Sequence, residues 1–488
     1  MSIRKILYFT GRIMLLTSAL LLLPTVVALI YREKNFWSFL VTAAVFLVVG
    51  LLFMIKKPAK GAYRPSEGFA ITALSWILIS LGGALPFVIS REIPSFIDAF
   101  FETVSGFTTT GSTILTNVET MSRGMLFWRS FTHWVGGMGV LAFGIALFPL
   151  TKNKKGRDGG GSEAHIMRAE APGPTYGKLV SKVRFSARIL YGIYFGMTVI
   201  EAVMLIAGGM PVFDSIVNSF ATAGTGGFGI LNGSIASYNS VYAEMVIAVF
   251  MMLFGINFNV FYFILIGNFR AAFKSEEVKW YLGIIAASVI AIAVNIMSLY
   301  HSFAEAFRYS FFQVSSVITT TGFATADFDL WPTFSKVLLV LLMFIGACAG
   351  STGGGLKISR VIILFKTAVK EVRYAINPRG VHAVRCDGET IPHEVIVNTS
   401  SYFAVYMLLQ ALSFLLISID GLDFTTTATA VVACFNNIGP GLSLVGPEGN
   451  FAMFSTFSKI ILSLDMLLGR LEIFPLIIIF APAAWKNK

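Results

Sequence analysis

Runs of about twenty apolar residues can be buried in a bilayer and almost nowhere else. This chain carries ten, at 6–31, 36–55, 67–89, 125–150, 183–208, 241–269, 278–300, 334–368, 395–418 and 455–484. Helices are the expected form, because a lipid-facing segment must satisfy its own backbone hydrogen bonds. The short alternating segments of a β-barrel do not dominate. The composition agrees, with 56% hydrophobic and 13% charged residues over 488 positions. The first run follows the basic "MSIRK" and continues without a small-residue cleavage site, so it reads as a retained helix rather than a signal peptide.

An even number of crossings places both ends on one side of the membrane. The densest basic stretches, "KKPAKGAYR" (56–64), "TKNKKGR" (151–157) and "KEVRYAINPR" (370–379), lie in loops on that side. They mark it as cytoplasmic under the positive-inside rule. The net charge of +11 therefore argues for membrane orientation, not for nucleic acid. Cys348, Cys386 and Cys434 are scattered and give neither a disulfide framework nor a metal spacing. The longest polar stretch, 151–182, reads as a cytoplasmic loop.

Four further segments, 95–110, 212–226, 303–321 and 422–438, are apolar but too short to cross. Each lies between two crossings on the outer side and ends in Thr, Gly or Asn. They read as re-entrant half-helices with a returning backbone stretch, which membranes tolerate only inside protein or beside water. Their ends align as "FTTTGST" (107–113), "AGTGGFG" (223–229), "ITTTGFA" (318–324) and "FNNIGPG" (435–441), with Gly111, Gly227, Gly322 and Gly439 in register. Upstream, "DAFFETVSGFTTTG" and "YSFFQVSSVITTTG" match at FF, at a Glu/Gln position, at Ser and at TTTG. The chain thus reads as an all-α polytopic membrane protein of four parallel helix–pore-segment–helix repeats around one pore. A two-helix N-terminal hairpin (1–60) precedes repeats at 61–160, 161–270, 271–375 and 376–488.

A small cation enters a bilayer only if its hydration shell is replaced, and rings of backbone carbonyls can do this. Glycine allows the required backbone angles. Small Thr side chains permit close packing and can add oxygens. Asp98, Glu102, Asp214 and Glu305 on the outer halves are expected to concentrate cations.

With these motifs the chain resembles the Trk/Ktr/HKT superfamily of potassium transporters. Its length and extra helix pair are similar to the bacterial TrkH group. The resemblance covers essentially the whole chain. It implies K⁺ ions bound by a filter formed from Thr109, Thr110, Gly111, Gly226, Gly227, Thr320, Thr321, Gly322, Asn437, Ile438 and Gly439. Either Gly226 or Gly227 could hold the second-filter register. Glycine at all four aligned positions favours K⁺ over Na⁺ by the same resemblance. It also implies a homodimer in the bacterial inner membrane, with both termini cytoplasmic. A cytosolic TrkA-like ring, carrying the nucleotide (NAD or ATP), would gate the pore.

Two features lie outside the filter. "GSTGGG", Gly350, Ser351, Thr352, Gly353, Gly354 and Gly355, interrupts the apolar run 334–368. Three consecutive glycines cost roughly 3 kcal/mol in a continuous helix, so the helix should break. In the resembled superfamily this is a gating loop; the plainer reading is a packing kink. Its likeness to a phosphate-binding loop fails, because the Lys follows Leu and lacks the Ser/Thr. Arg470 sits mid-span, where an arginine is costly. The resemblance makes it a pore constriction, whereas the plainer reading pairs it with Asp465 or Glu472. His133 reads as a hydrogen-bonded packing residue. His165, His301, His382 and His393 show no ligand spacing, and no nucleophile set supports an enzyme. A transporter coupling K⁺ to H⁺ or Na⁺ remains the alternative, though four parallel repeats favour a pore over two inverted ones.

Overall fold

The computed structural model describes residues 1–58, 65–139, 183–380 and 382–485. The 151–182 loop, His165 and the later part of the 125–150 run lie outside the described residues. Apart from a two-stranded hairpin, Arg385–Cys386 with Glu389–Thr390, the described secondary structure is helical.

Among the described residues, the six helices long and apolar enough to cross a membrane have clear places in the scheme. Ile3–Ile30 and Phe36–Met54 form the N-terminal pair. Ser66–Ser90, Ala187–Ala207, Glu276–Leu299 and His393–Asp420 each lead one repeat. They turn apolar residues such as Leu52, Val203, Val294 and Leu408 outward. The N-terminal pair packs closely where Gly50 faces the Gly11 carbonyl, 2.9 Å from where a Cβ would sit. Such close approach of backbones is how apolar helices gain contact in lipid.

Within each repeat a short helix follows: Phe96–Phe107, Val212–Ala223, Phe303–Ile318 and Phe424–Phe435. Three begin at a polar cap, where Ser95, Ser302 and Asp423 accept from Asp98, Glu305 and Thr426 N–H. Each cap satisfies an orphan donor of the first turn. The second starts after Pro211 without such a bond. The short helices are buried on most sides, through residues such as Ala99, Val104, Val217, Val314 and Val431. They form the centre around which the lead helices stand.

The trailing helices depart from the hydropathy reading. Repeat one has Arg123–Gly137, repeat two Val241–Phe254, repeat three Thr333–Ile345 and repeat four Thr456–Arg470. Phe258–Leu265 follows the second at a bend of 93°. Ile358–Ile376 follows the third after a twelve-residue irregular stretch, 346–357, twice the length of "GSTGGG". Phe474–Phe480 follows the fourth across Glu472 and Ile473, both at positive φ. Hydropathy continues through these breaks, so it cannot reveal them. The breaks fall where the trailing helix meets the end of a short helix. A Cβ on Gly136 or Gly469 would overlap the carbonyl oxygen of Phe107 or Phe435, the last residues of short helices one and four. Glycine permits that approach and also weakens the helix that makes it, by about 1 kcal/mol relative to alanine.

Candidate functional site

All four short helices end in the same way. In the first, Thr109 N–H donates to Gly106 O and Thr110 N–H to Ser105 O, at 3.1 and 2.9 Å. The pattern repeats at Thr225 and Gly226, at Thr320 and Thr321, and at Asn437 and Ile438. This paired closure places one residue in the left-handed region, a position glycine usually fills. Here it is Thr109, Thr225, Thr320 and Asn437, at φ of 56°, 52°, 59° and 57°. Left-handed backbone costs an L-residue roughly 1–2 kcal/mol, and more is asked of a β-branched one. Four equivalent copies of this strain indicate that a side-chain oxygen is wanted there. Two residues on, Gly111, Gly227, Gly322 and Gly439 are again at positive φ. Gly227, with Thr225 two residues before it, is therefore the geometric partner of Gly111. Gly226 matches Thr110, Thr321 and Ile438.

The glycines close a ring. A Cβ on Gly111 would overlap Gly226 O, one on Gly227 would overlap Thr321 O, and one on Gly322 would overlap Ile438 O. A Cβ on Gly439 would stand 2.9 Å from Thr110 O. Segment one thus abuts two, two abuts three, three abuts four and four abuts one. The carbonyl in each contact belongs to the residue before a ring glycine.

The threonines offered by sequence divide into two groups. Thr110 and Thr321 turn their hydroxyls back onto Thr108 and Thr319, at 2.8 Å each, and Asn437 Nδ2 donates to Thr110 Oγ1. They hold the turn with their side chains. Thr109 Oγ1 and Asn437 Oδ1 are buried without a hydrogen-bond partner. Thr225, which the glycine alignment left out, belongs with Thr109; counting two residues back from Gly227 finds it. Gly226 is glycine because the His133 ring fills the space a side chain would need. His133 itself bonds Gly106 O through Nδ1 at 2.7 Å and accepts from Phe228 N–H through Nε2 at 3.3 Å. It is a packing residue with both ring nitrogens engaged.

Behind the ring, side chains of the short helices hold the returning backbone. Glu102 accepts from the Thr113 hydroxyl and Ile114 N–H. Gln313 accepts from Thr325 and Ala326 N–H in the amide orientation that satisfies both donors. Thr429 accepts from Leu442 N–H at 2.9 Å. Glu102 is also paired with buried Arg129 at 2.8 Å. That guanidinium reaches Gly229 O and covers the Phe228 ring. The expectation that the acids gather cations needs correction for three of the four, Glu305 having no such pair among the described residues. Asp98 is paired with Lys459 at 2.6 Å, Asp214 with Arg123 at 3.4 Å, and Glu102 with Arg129. Their charge is largely neutralised by neighbouring cations, so most of it is spent on folding rather than on the field outside.

The 346–357 stretch lies against the ends of segments three and four. Gly354 N–H donates to Thr320 Oγ1 at 2.6 Å, and a Cβ on Gly354 would overlap Asn436 O. Its backbone is laced to three other elements. Cys348 N–H donates to Gly255 O, Phe258 N–H to Gly350 O, and Ala349 N–H to Glu277 Oε1. The Lys357 ammonium bonds Gly353 O. Arg470 donates to Thr352 O at 2.8 Å and to Gly136 O and Gly137 O at 2.7 and 2.6 Å. It thereby joins repeats one, three and four through main-chain carbonyls. Neither suggested partner is placed to displace these bonds: Glu472 forms a two-bond pair with Arg360, and Asp465 accepts from Ser413 Oγ. Among the described residues no group of His, Cys, Asp and Glu could hold a metal ion in the manner of a fixed cofactor site.

The TrkH family, described as a cation transport protein, matches residues 34–487. The Trk system potassium uptake protein TrkH of Salmonella typhimurium is 35% identical, with 100% of each chain covered. The Trk system potassium uptake protein TrkI of Halomonas elongata is 30% identical, over 95% of this chain and 93% of its own. The crystal structure of the potassium transporter TrkH from Vibrio parahaemolyticus superposes with a TM-score of 0.88 at 31% identity, covering 100% of each chain.

Proposed function

The chain belongs to the TrkH family of cation transport proteins, and from that premise we propose that it is the membrane subunit of a potassium-uptake system. Potassium passes through the ring made by Gly111, Gly227, Gly322 and Gly439, with the carbonyls and the left-handed residues beside them as its ligands. The observation that carries this reading is the closed order of glycine-to-carbonyl contacts among four segments. Four strands around one axis can replace the hydration shell of one monovalent cation. Thr109, Thr225 and Asn437 add side-chain oxygens at the inner end, and the Thr320 hydroxyl stands beside them bonded to Gly354. The protein is a multi-pass membrane protein. Its place is the bacterial inner membrane with both termini cytoplasmic, as a homodimer working with a TrkA-like cytosolic ring that carries NAD or ATP. It performs no covalent chemistry.

Residues 350–355 act as a gate below the ring, and Arg470 holds that gate shut and narrows the path. An arginine beside the path opposes a cation, and its bonds to Thr352, Gly136 and Gly137 support this placement. Arg470→Ala is expected to raise K⁺ flux several-fold in reconstituted vesicles, because it removes both the charge and the anchor. Unfolded or unreconstitutable protein would instead assign Arg470 a structural role. The function itself is tested by reversal potentials under imposed K⁺ and pH gradients. A potential following the K⁺ gradient alone is expected; one following H⁺ would establish coupled transport in its place.

A further inference from the structure

The four left-handed residues are equivalent by backbone but not by bonding. Thr109 Oγ1 and Asn437 Oδ1 have no hydrogen-bond partner. The Thr225 hydroxyl donates to Gly224 O at 2.7 Å and keeps its oxygen lone pairs free of donors in that bond. Thr320 differs from all three, because its oxygen accepts the Gly354 N–H at 2.6 Å. The donor comes from the 346–357 stretch and not from its own turn. Gly354 is held there by its neighbours, with Thr352 O on Arg470 and Gly353 O on Lys357. A side chain at 354 would overlap Asn436 O, so the contact depends on glycine.

An amide N–H on a hydroxyl oxygen occupies one lone pair and sets a positive dipole end beside it. A dehydrated cation then finds only the second lone pair and is repelled by that dipole. We propose that Thr320 is the residue through which the 346–357 loop sets the number of oxygens the inner end of the ring offers to potassium. With Gly354 docked, the Thr320 hydroxyl is withheld. When the loop withdraws, the hydroxyl joins Thr109, Thr225 and Asn437 as a ligand. The loop then changes the affinity of the innermost position as well as the width of the path beneath it. This inference rests on the reading of the ring as the potassium filter.

The test is the K⁺ concentration giving half-maximal K⁺ uptake by the reconstituted full chain. Thr320→Val, Thr320→Ser and Thr109→Val are each measured with the loop intact and with residues 350–355 deleted. If the deletion does not fold, Arg470→Ala, which frees Thr352 O, serves as the loosened background. Thr109→Val is expected to raise the half-saturating concentration about threefold to tenfold in both backgrounds, the range of one lost polar contact. Thr320→Val is expected to do so only in the loosened background, and Thr320→Ser in neither. Loss of the Gly354 bond in Thr320→Val alters the maximal rate, which half-saturation separates. Thr320→Val acting equally in both backgrounds, or in neither, while Thr109→Val acts in both, overturns the coupling. Thr109→Val without effect in either overturns the filter reading and the coupling with it.

Discussion

Serine at Gly111, Gly227 or Gly322 is expected to lower the K⁺/Na⁺ uptake ratio per folded molecule by about tenfold or more, a change of ~1.4 kcal/mol in discrimination. Each glycine has positive φ, and each lies where a Cβ would overlap a carbonyl oxygen of the next segment. Backbone on both sides of the contact is fixed by the paired closure of its short helix, so relief must come from rotating the carbonyl. On the proposed filter, a rotated carbonyl is a lost or misplaced ligand. Potassium, whose larger shell needs all four segments at their spacing, loses more than sodium. Gly439 has more room, with 2.9 Å to Thr110 O, and Gly439→Ser is expected to be the mildest of the four. K⁺ and Na⁺ uptake, normalised to monodisperse protein, gives the ratio. Parental ratios in the Gly111, Gly227 and Gly322 variants would show that these glycines serve the turn alone.

Glu102→Ala should cost about 3–5 kcal/mol of stability, because it leaves the Arg129 guanidinium buried without its counter-charge. Arg129 is 2% exposed, and Glu102 also holds Thr113 and Ile114. The third repeat shows how the same place is built without charge. Gln313 stands nine residues before Gly322, as Glu102 stands nine before Gly111. Leu339, seventh in its trailing helix, occupies the place of Arg129, seventh in its own. Glu102→Gln alone is therefore expected to destabilise, and Glu102→Gln with Arg129→Leu to recover most of the loss. Thermal unfolding in detergent measures both. Recovery absent from the double variant would mean that Arg129 is needed for Gly229 and Phe228 rather than for Glu102.

Much of this was legible from residues alone. The lead helices and the N-terminal pair are long and apolar, so hydropathy locates them within a few residues. The short helices announce themselves by length and by the shared glycine. The left-handed residues were harder, because the sequence hides them behind glycine: in "AGTGGFG" the eye is drawn to Gly226 and Gly227, and Thr225 is passed over. Only the conformation shows why Gly226 is there, since His133 reaches in from another helix. The breaks at Phe254 and Arg470 left no hydropathic trace, because both flanks are apolar. The acids misled for a related reason. A carboxylate in an outer segment looks like bait for cations until Lys459, Arg123 and Arg129 are seen beside Asp98, Asp214 and Glu102.

The fifteenth residue counted from the start of each trailing helix is Gly137, Gly255, Ala347 and Arg470. Had the ring been assembled from four copies of one polypeptide, whatever stood there would appear four times. Four guanidinium groups around a narrow axis would repel one another and any cation, while four glycines would leave nothing to anchor a loop. Joining the repeats in one chain removes that constraint. It lets a single positive charge and a single bonded loop face three plain neighbours, as the proposed gate requires. Four unlike repeats in one chain therefore permit something symmetry forbids: a stoichiometry of one for the proposed device that interrupts a fourfold path.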